Sequence, residues 1–168
     1  MKYSQIRSMD VSNGEGIGVA LFVQGCPHRC KNCFNPETWD FNGGKEWTQK
    51  TEEEFLKLID RPYIKRVSLL GGEPLAVQNL EGVLNLVNQI RLLLPEKTIW
   101  LYTGYTWENI ACSSKRKEIV AKIDILVDGK FEEDKKDLSL QFRGSSNQRL
   151  IAVQESLEKG DVVLWQNN

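Results

Sequence analysis

The sequence predicts an α/β domain: an open, partial (βα) barrel of about five to six parallel strands with helices outside. Three observations carry that expectation. Short apolar runs alternate with amphipathic helical patterns, and parallel neighbours need crossovers of that kind. The chain has 168 residues, whereas a closed eight-unit barrel uses about 250, or roughly 31 per unit, so about five units fit. Finally, the loops with unusual composition follow directly on the apolar runs, which in such folds puts them on one rim.

The elements follow in order. After a polar, Gly-rich opening at residues 11–18, residues 19–23 (Val-Ala-Leu-Phe-Val) read as a buried strand. Thr51-Glu52-Glu53-Glu54 has capping-box spacing, and Phe55, Leu58 and Ile59 then share one helical face. Residues 67–70 form a second strand. Leu80, Val83, Leu84, Val87 and Ile90 recur at helical spacing, in a helix that must stop near Pro95. Residues 98–102 make a third strand, and a helical stretch including 116–122 follows. Residues 123–127 and 150–153 are the fourth and fifth strands, with 162–164 a candidate sixth. No repeat, linker or low-complexity segment divides the chain, so 1–168 reads as a single domain.

Composition narrows the function classes. Lys and Arg total 22 against 23 Asp and Glu, a formal net charge of −1. No broad basic field exists for nucleic acid. The apolar runs fall far short of the ~20 residues of a membrane span, and the N-terminus has no secretory apolar segment. The expectation is a cytoplasmic protein with no membrane or nucleic-acid partner.

Cys26, Cys30 and Cys33 crowd into the loop after the first strand, while Cys112 stands apart. In a reducing compartment clustered thiols point to a metal or to redox chemistry. A 4Fe–4S cluster normally takes four thiolates, so three would leave one iron open to a substrate that can chelate it. A structural zinc would want a fourth ligand, for which His28, the only histidine, is the nearest candidate. A disulfide with leftover thiols is a further alternative. Gly71-Gly72-Glu73-Pro74 follows the second strand, Thr103-Gly104-Tyr105 the third, and Asp128-Gly129-Lys130-Phe131 the fourth.

The cysteine loop after a first strand, joined to Gly-Gly-Glu-Pro after a second, resembles the radical S-adenosylmethionine (SAM) enzymes. The fold class is then an open partial barrel of radical SAM type. Gly25-Cys26-Pro27-His28-Arg29-Cys30-Lys31-Asn32-Cys33, with residues 124–129 (Asp-Ile-Leu-Val-Asp-Gly) and 142–149 (Phe-Arg-Gly-Ser-Ser-Asn-Gln-Arg), is similar to the activating proteins of anaerobic (class III) ribonucleotide reductase.

The resemblance implies a 4Fe–4S cluster on Cys26, Cys30 and Cys33, with SAM on its open iron. Gly71, Gly72 and Glu73 would serve the methionine end: glycines allow close backbone approach and a carboxylate accepts from an ammonium. Asn32, Cys33 and Phe34 would lie near the adenosyl part. The wider superfamily has an aromatic before the third cysteine, where Asn32 stands here. Thr103 would approach the ribose, and Asp128 and Lys130 would contact SAM at the barrel mouth. Arg143, Ser145, Asn147 and Arg149 would line the entrance for the reductase's glycine-bearing loop.

The implied reaction is reductive cleavage of SAM to a 5′-deoxyadenosyl radical, which takes hydrogen from a glycine of the reductase catalytic subunit. A low-potential donor such as flavodoxin would supply the electron. No catalytic acid or base is required, since the cofactor carries the hard chemistry. Two other readings stay open on the sequence: a small-molecule radical SAM enzyme, such as a 7-carboxy-7-deazaguanine synthase-like protein, and a non-catalytic zinc-binding module.

Overall fold

A computed structural model describes residues 1–166 of the chain. Four parallel strands form its centre: β2 (Gly18–Val23), β4 (Arg66–Gly71), β5 (Thr98–Tyr102) and β6 (Ile125–Asp128). They are the apolar runs of the sequence, buried on both faces as parallel strands are. Three antiparallel strands flank them. β1 (Lys2–Asp10) pairs with β2, the two-residue β3 (Lys45–Glu46) pairs with β1, and β7 (Arg149–Ala152) pairs with β6. The result is one open seven-stranded sheet in the order β3-β1-β2-β4-β5-β6-β7.

The expectation of five to six parallel strands is thus corrected to four. The fifth predicted strand, now β7, runs antiparallel to β6. The reason is the connection: residues 129–148 contain one short 3-10 turn at Glu133–Lys135 and no crossover helix, so the chain doubles back. The sixth predicted strand at 162–164 is only a bridge, Leu164 to Ile151 along the edge of β7.

Alternation along each central strand separates two faces. Val19, Leu21, Val23, Val67, Leu69, Ile99, Leu101 and Leu126 point to the main core, under α1 (Gln49–Ile59) and α2 (Leu80–Leu93). α3 (Trp107–Ala111), α4 (Ser114–Val120) and α5 (Val153–Lys159) complete the helices. α1 starts earlier than its expected capping box: Thr48 is the cap, its side chain accepting from the Thr51 N–H. The helix expected over 116–122 is α4, begun by Ser113, which accepts from the Arg116 N–H. Asn79 precedes α2, but its amide donates to the Gln24 and Glu73 carbonyls, both at 3.0 Å, tying the helix to two rim loops.

The opposite face carries no helix. Its deepest part is polar: wholly buried Arg66 donates to the Asp10 carboxylate at 2.9 Å and to Ser68 at 2.7 Å, and Ser68 donates to the Asn13 carbonyl at 2.6 Å. This network pulls the Gly-rich opening over the sheet. Burial alone would raise the Asp10 carboxyl, but hydrogen bonds from Arg66 and Asn13 outweigh it and hold the group below its ordinary value. Its stabilisation is therefore complete above the unfolded value of about 4 and is lost as pH falls through the lower folded value. Asp10→Asn should cost about 3 kcal/mol at neutral pH, because it leaves Arg66 charged and buried without a counter-ion. The deficit against wild type should shrink below pH ~4 in denaturant titrations.

Candidate cofactor site

All four rim loops reach one cavity of about 610 Å³, within the ~300–1,000 Å³ of small-molecule sites. Cys26, Cys30, Cys33 and Phe34 line it from the loop after β2, Gly71, Gly72 and Glu73 from the loop after β4, Thr103 and Gly104 from that after β5, and Lys130 from that after β6.

The cysteine loop is anchored at its base and turns sharply within. Gly25 and Cys26 donate backbone N–H groups to the Thr38 and Trp39 carbonyls at 2.7 and 3.1 Å. The Gln24 amide donates to the Glu37 and Asp40 carbonyls at 3.1 and 2.8 Å. Inside the loop Arg29 and Asn32 take positive φ of 47° and 54°, and the Asn35 N–H approaches the Cys33 Sγ at 3.4 Å.

All three thiols are free. Burial pushes Cys26 up to about 11 and raises Cys30, so loading a metal must displace protons from them. Among the described residues no three Cys, His, Asp or Glu side chains are already gathered at metal-binding spacing. The loop would close on its metal as it binds. The donor set fits an iron–sulfur cluster: three soft thiols, all on one cavity wall, with no fourth cysteine beside them, since Cys112 is exposed on α3's far end.

Glu73 is the knot of the site. It is 1% exposed, and its two oxygens accept four protein donors. Oε1 takes the Leu75 N–H at 2.9 Å and the Thr103 hydroxyl at 2.7 Å. Oε2 takes the Gly104 N–H and His28 Nε2, both at 2.8 Å. Three rim loops are therefore joined through one carboxylate. His28, nearest to a zinc ligand in the sequence, is engaged here, and its ring lies edge-on to Tyr105 at 4.7 Å. A Cβ on Gly104 would come within 2.4 Å of that ring, so the contact needs glycine there. A Cβ on Gly72 would meet the Gly25 carbonyl at 2.6 Å, which explains the second glycine as a backbone-to-backbone fit.

Two expected contacts are not brought to the cavity. Asn32 is exposed and its amide bonds Glu133, beside the Lys31–Glu133 pair at 3.1 Å. Asp128 is 1% exposed, accepting from Arg149 Nε at 3.0 Å and the Trp107 N–H at 2.8 Å. Of the 142–149 segment, Arg143 lines the cavity, while Arg149 pairs with Asp128, Ser145 is fully buried, and Asn147 donates to the Lys130 carbonyl at 2.8 Å. Tyr102, on the cavity floor, was not singled out by the sequence. Its signal was position: a residue with a polar tip closing a strand whose alternate residue, Trp100, faces the same side.

The fold and this thiol-lined wall define an iron–sulfur protein of the open α/β type, and residues 12–151 match the model of the 4Fe-4S single cluster domain. An anaerobic ribonucleoside-triphosphate reductase-activating protein of Enterobacteria phage T4 is 40% identical over 161 residues, covering 96% of this chain and all of that protein. Proteins of the same description from Escherichia coli strain K12 and Pasteurella multocida are 43% and 41% identical over 150 residues, 88% of this chain and 96% and 95% of theirs. The chain belongs to the family of anaerobic ribonucleoside-triphosphate reductase-activating proteins. A zinc-binding module is set aside by that membership and by the 4Fe–4S domain match.

Proposed function

We propose that this protein activates an anaerobic ribonucleoside-triphosphate reductase by generating a glycyl radical on it, as a single radical SAM domain with a partial-barrel site. The observation that carries the reading is the donor set: three free thiols on one cavity wall beside the Gly71–Gly72 turn. When bound, the cluster and SAM supply a one-electron cleavage of the sulfonium that yields methionine and the 5′-deoxyadenosyl radical.

The chain's own residues bind, orient and shield. Cys26, Cys30 and Cys33 would hold the cluster, leaving one iron without a protein ligand. Gly71 and Gly72 offer bare backbone to the methionine end. Lys130 is a cation on the same wall that matches its carboxylate. Phe34, 53% exposed and 5.0 Å from Phe131, is an aromatic surface for the adenosyl part. Glu73 and Thr103 act one step back: their polar atoms bond each other, so they hold the wall in place.

The electron would come from a low-potential donor such as flavodoxin, in the cytoplasm. No helix among the described residues is long and apolar enough to cross a membrane. Mixing cluster-loaded protein with SAM, a strong reductant and the reductase should produce a glycyl doublet by electron paramagnetic resonance. Deoxyadenosine formed with no doublet would reject the reductase as substrate, and turnover of a small molecule with the reductase absent would favour the small-molecule enzyme.

A further inference from the structure

In the segment 143–148, the side chains of Arg143, Ser145, Asn147 and Gln148 all bond backbone groups of the chain itself. Gln148 is the centre of this arrangement. Its Oε1 accepts the N–H groups of Gly144 and Ser145 at 2.9 and 3.2 Å, and its Nε2 donates to the Gly129 carbonyl at 3.0 Å. The Gly144 carbonyl accepts from the Asp137 N–H at 3.2 Å. The hydroxyl of fully buried Ser145 accepts from the Glu132 N–H, also at 3.2 Å. Gly144 is thus pinned at both its N–H and its carbonyl, in a stretch with no helix or strand of its own.

What Gly144 meets is the ring of Phe34. A Cβ on Gly144 would come within 2.5 Å of Phe34 Cε2 and 3.1 Å of the Phe131 ring. The turn itself does not ask for glycine here, since the φ of Gly144 lies outside the left-handed region. The missing side chain serves the aromatic contact instead. Phe131 lies 5.0 Å from Phe34 with the ring planes at 52°, and Lys136 Nζ is 5.5 Å from the Phe34 ring centre. Phe131, Lys136 and Gly144, all from the segment after β6, therefore surround one ring that directly follows Cys33. Phe34, Phe131, Gly144 and Gln148 line the same cavity, and Phe34 keeps half of its surface open to it or to solvent. A half-exposed side chain on a loop has several rotamers within reach, and ordering one of them costs entropy. The mould around Phe34 orders it before any ligand arrives.

We propose that Gly144, held by Gln148, is a positioning residue: it fixes the Phe34 ring on the cavity wall and so sets the grip on the adenosyl part of SAM. This rests on Phe34 facing the adenosyl part, as proposed above. An alanine at 144 pushes the ring aside rather than breaking the fold, because the nearest atom is the outer edge of a half-exposed side chain. The thiols and the Gly71–Gly72 turn are left in place.

The test is a double-mutant cycle on SAM binding, read by calorimetry on cluster-loaded proteins of equal iron content. Gly144→Ala should weaken SAM roughly three- to tenfold, the range of one aromatic contact, and Phe34→Leu by a similar factor. The losses should not multiply: in the Phe34→Leu background Gly144→Ala should cost less than about twofold. The thermal midpoint of metal-free Gly144→Ala should stay close to that of wild type. Should Gly144→Ala take up no cluster, Gln148→Ala, which releases Gly144 without adding an atom, carries the same cycle with the same expected factors. Wild-type SAM affinity beside a weakened Phe34→Leu would overturn the inference and leave Phe34 as the adenosyl surface. Losses that multiply would also overturn it, because Gly144 would then act without the ring. Unchanged affinity in Phe34→Leu defeats the role of Phe34, and the inference with it. A cluster-loaded wild type that binds no SAM defeats the proposed activity itself.

Discussion

Cys30→Ala should fold and yet fail to load a normal cluster. Cys30 is a half-buried loop residue outside every core cluster, so losing its sulfur removes no packing that the sheet depends on. It does remove one of the three thiols proposed to hold the cluster, with no fourth cysteine beside them. Cys112 cannot substitute, being exposed at the end of α3. Anaerobic reconstitution followed by iron and sulfide analysis should find incorporation reduced to background, with the thermal midpoint of the metal-free protein unchanged. A wild-type 4Fe–4S spectrum in this variant would contradict the ligand assignment.

Glu73→Gln should injure the protein even before any cofactor is added. The carboxylate accepts from Leu75, Thr103, Gly104 and His28 inside the protein, and an amide can accept at only one of its two positions. Wherever its NH₂ points, one backbone N–H, of Leu75 or of Gly104, loses its acceptor in a buried place. The Thr103 hydroxyl or His28 Nε2 beside it must turn from donor to acceptor, and the bonds that remain lose the charge. Hydrogen bonds to a charged group contribute roughly 1.5–3 kcal/mol each, so a loss of about 3 kcal/mol is expected. For a chain of this size that is a fall of roughly 6–12 °C in thermal midpoint. SAM affinity should fall as well, because the cysteine loop and the loop after β5 would no longer be joined. A carboxylate whose role was only to accept from the ammonium of SAM would leave the metal-free midpoint unchanged. Scanning calorimetry of the metal-free variant separates the two.

The same carboxylate marks the limit of what the sequence made legible. The motif named Glu73 as a ligand residue, but its partners lie 2, 30, 31 and 45 positions away in the chain, and only the folded rim brings them together. His28 likewise read as a loop residue and is in fact half of the joint. The central strands were readable because parallel strands are buried on both faces and leave unbroken apolar runs. β1 was missed for the opposite reason: its polar residues, Ser4, Gln5, Arg7 and Ser8, break any apolar run, and several of them face solvent at the sheet's edge. β7 was found but given the wrong direction, although the missing helical pattern between residues 129 and 148 was there to be read. Asp128 looked like a cofactor contact because it ends a strand on the rim. Arg149, 21 positions on and delivered by the antiparallel turn, neutralises it instead.

The most direct test is electron paramagnetic resonance of the reconstituted, reduced protein, recorded with and without SAM. Three sulfurs around a cubane with one free corner predict about four irons per chain and a signal whose shape changes when SAM is added. A cubane signal that ignores SAM, or a chain that takes up a single zinc and no iron, would contradict the account.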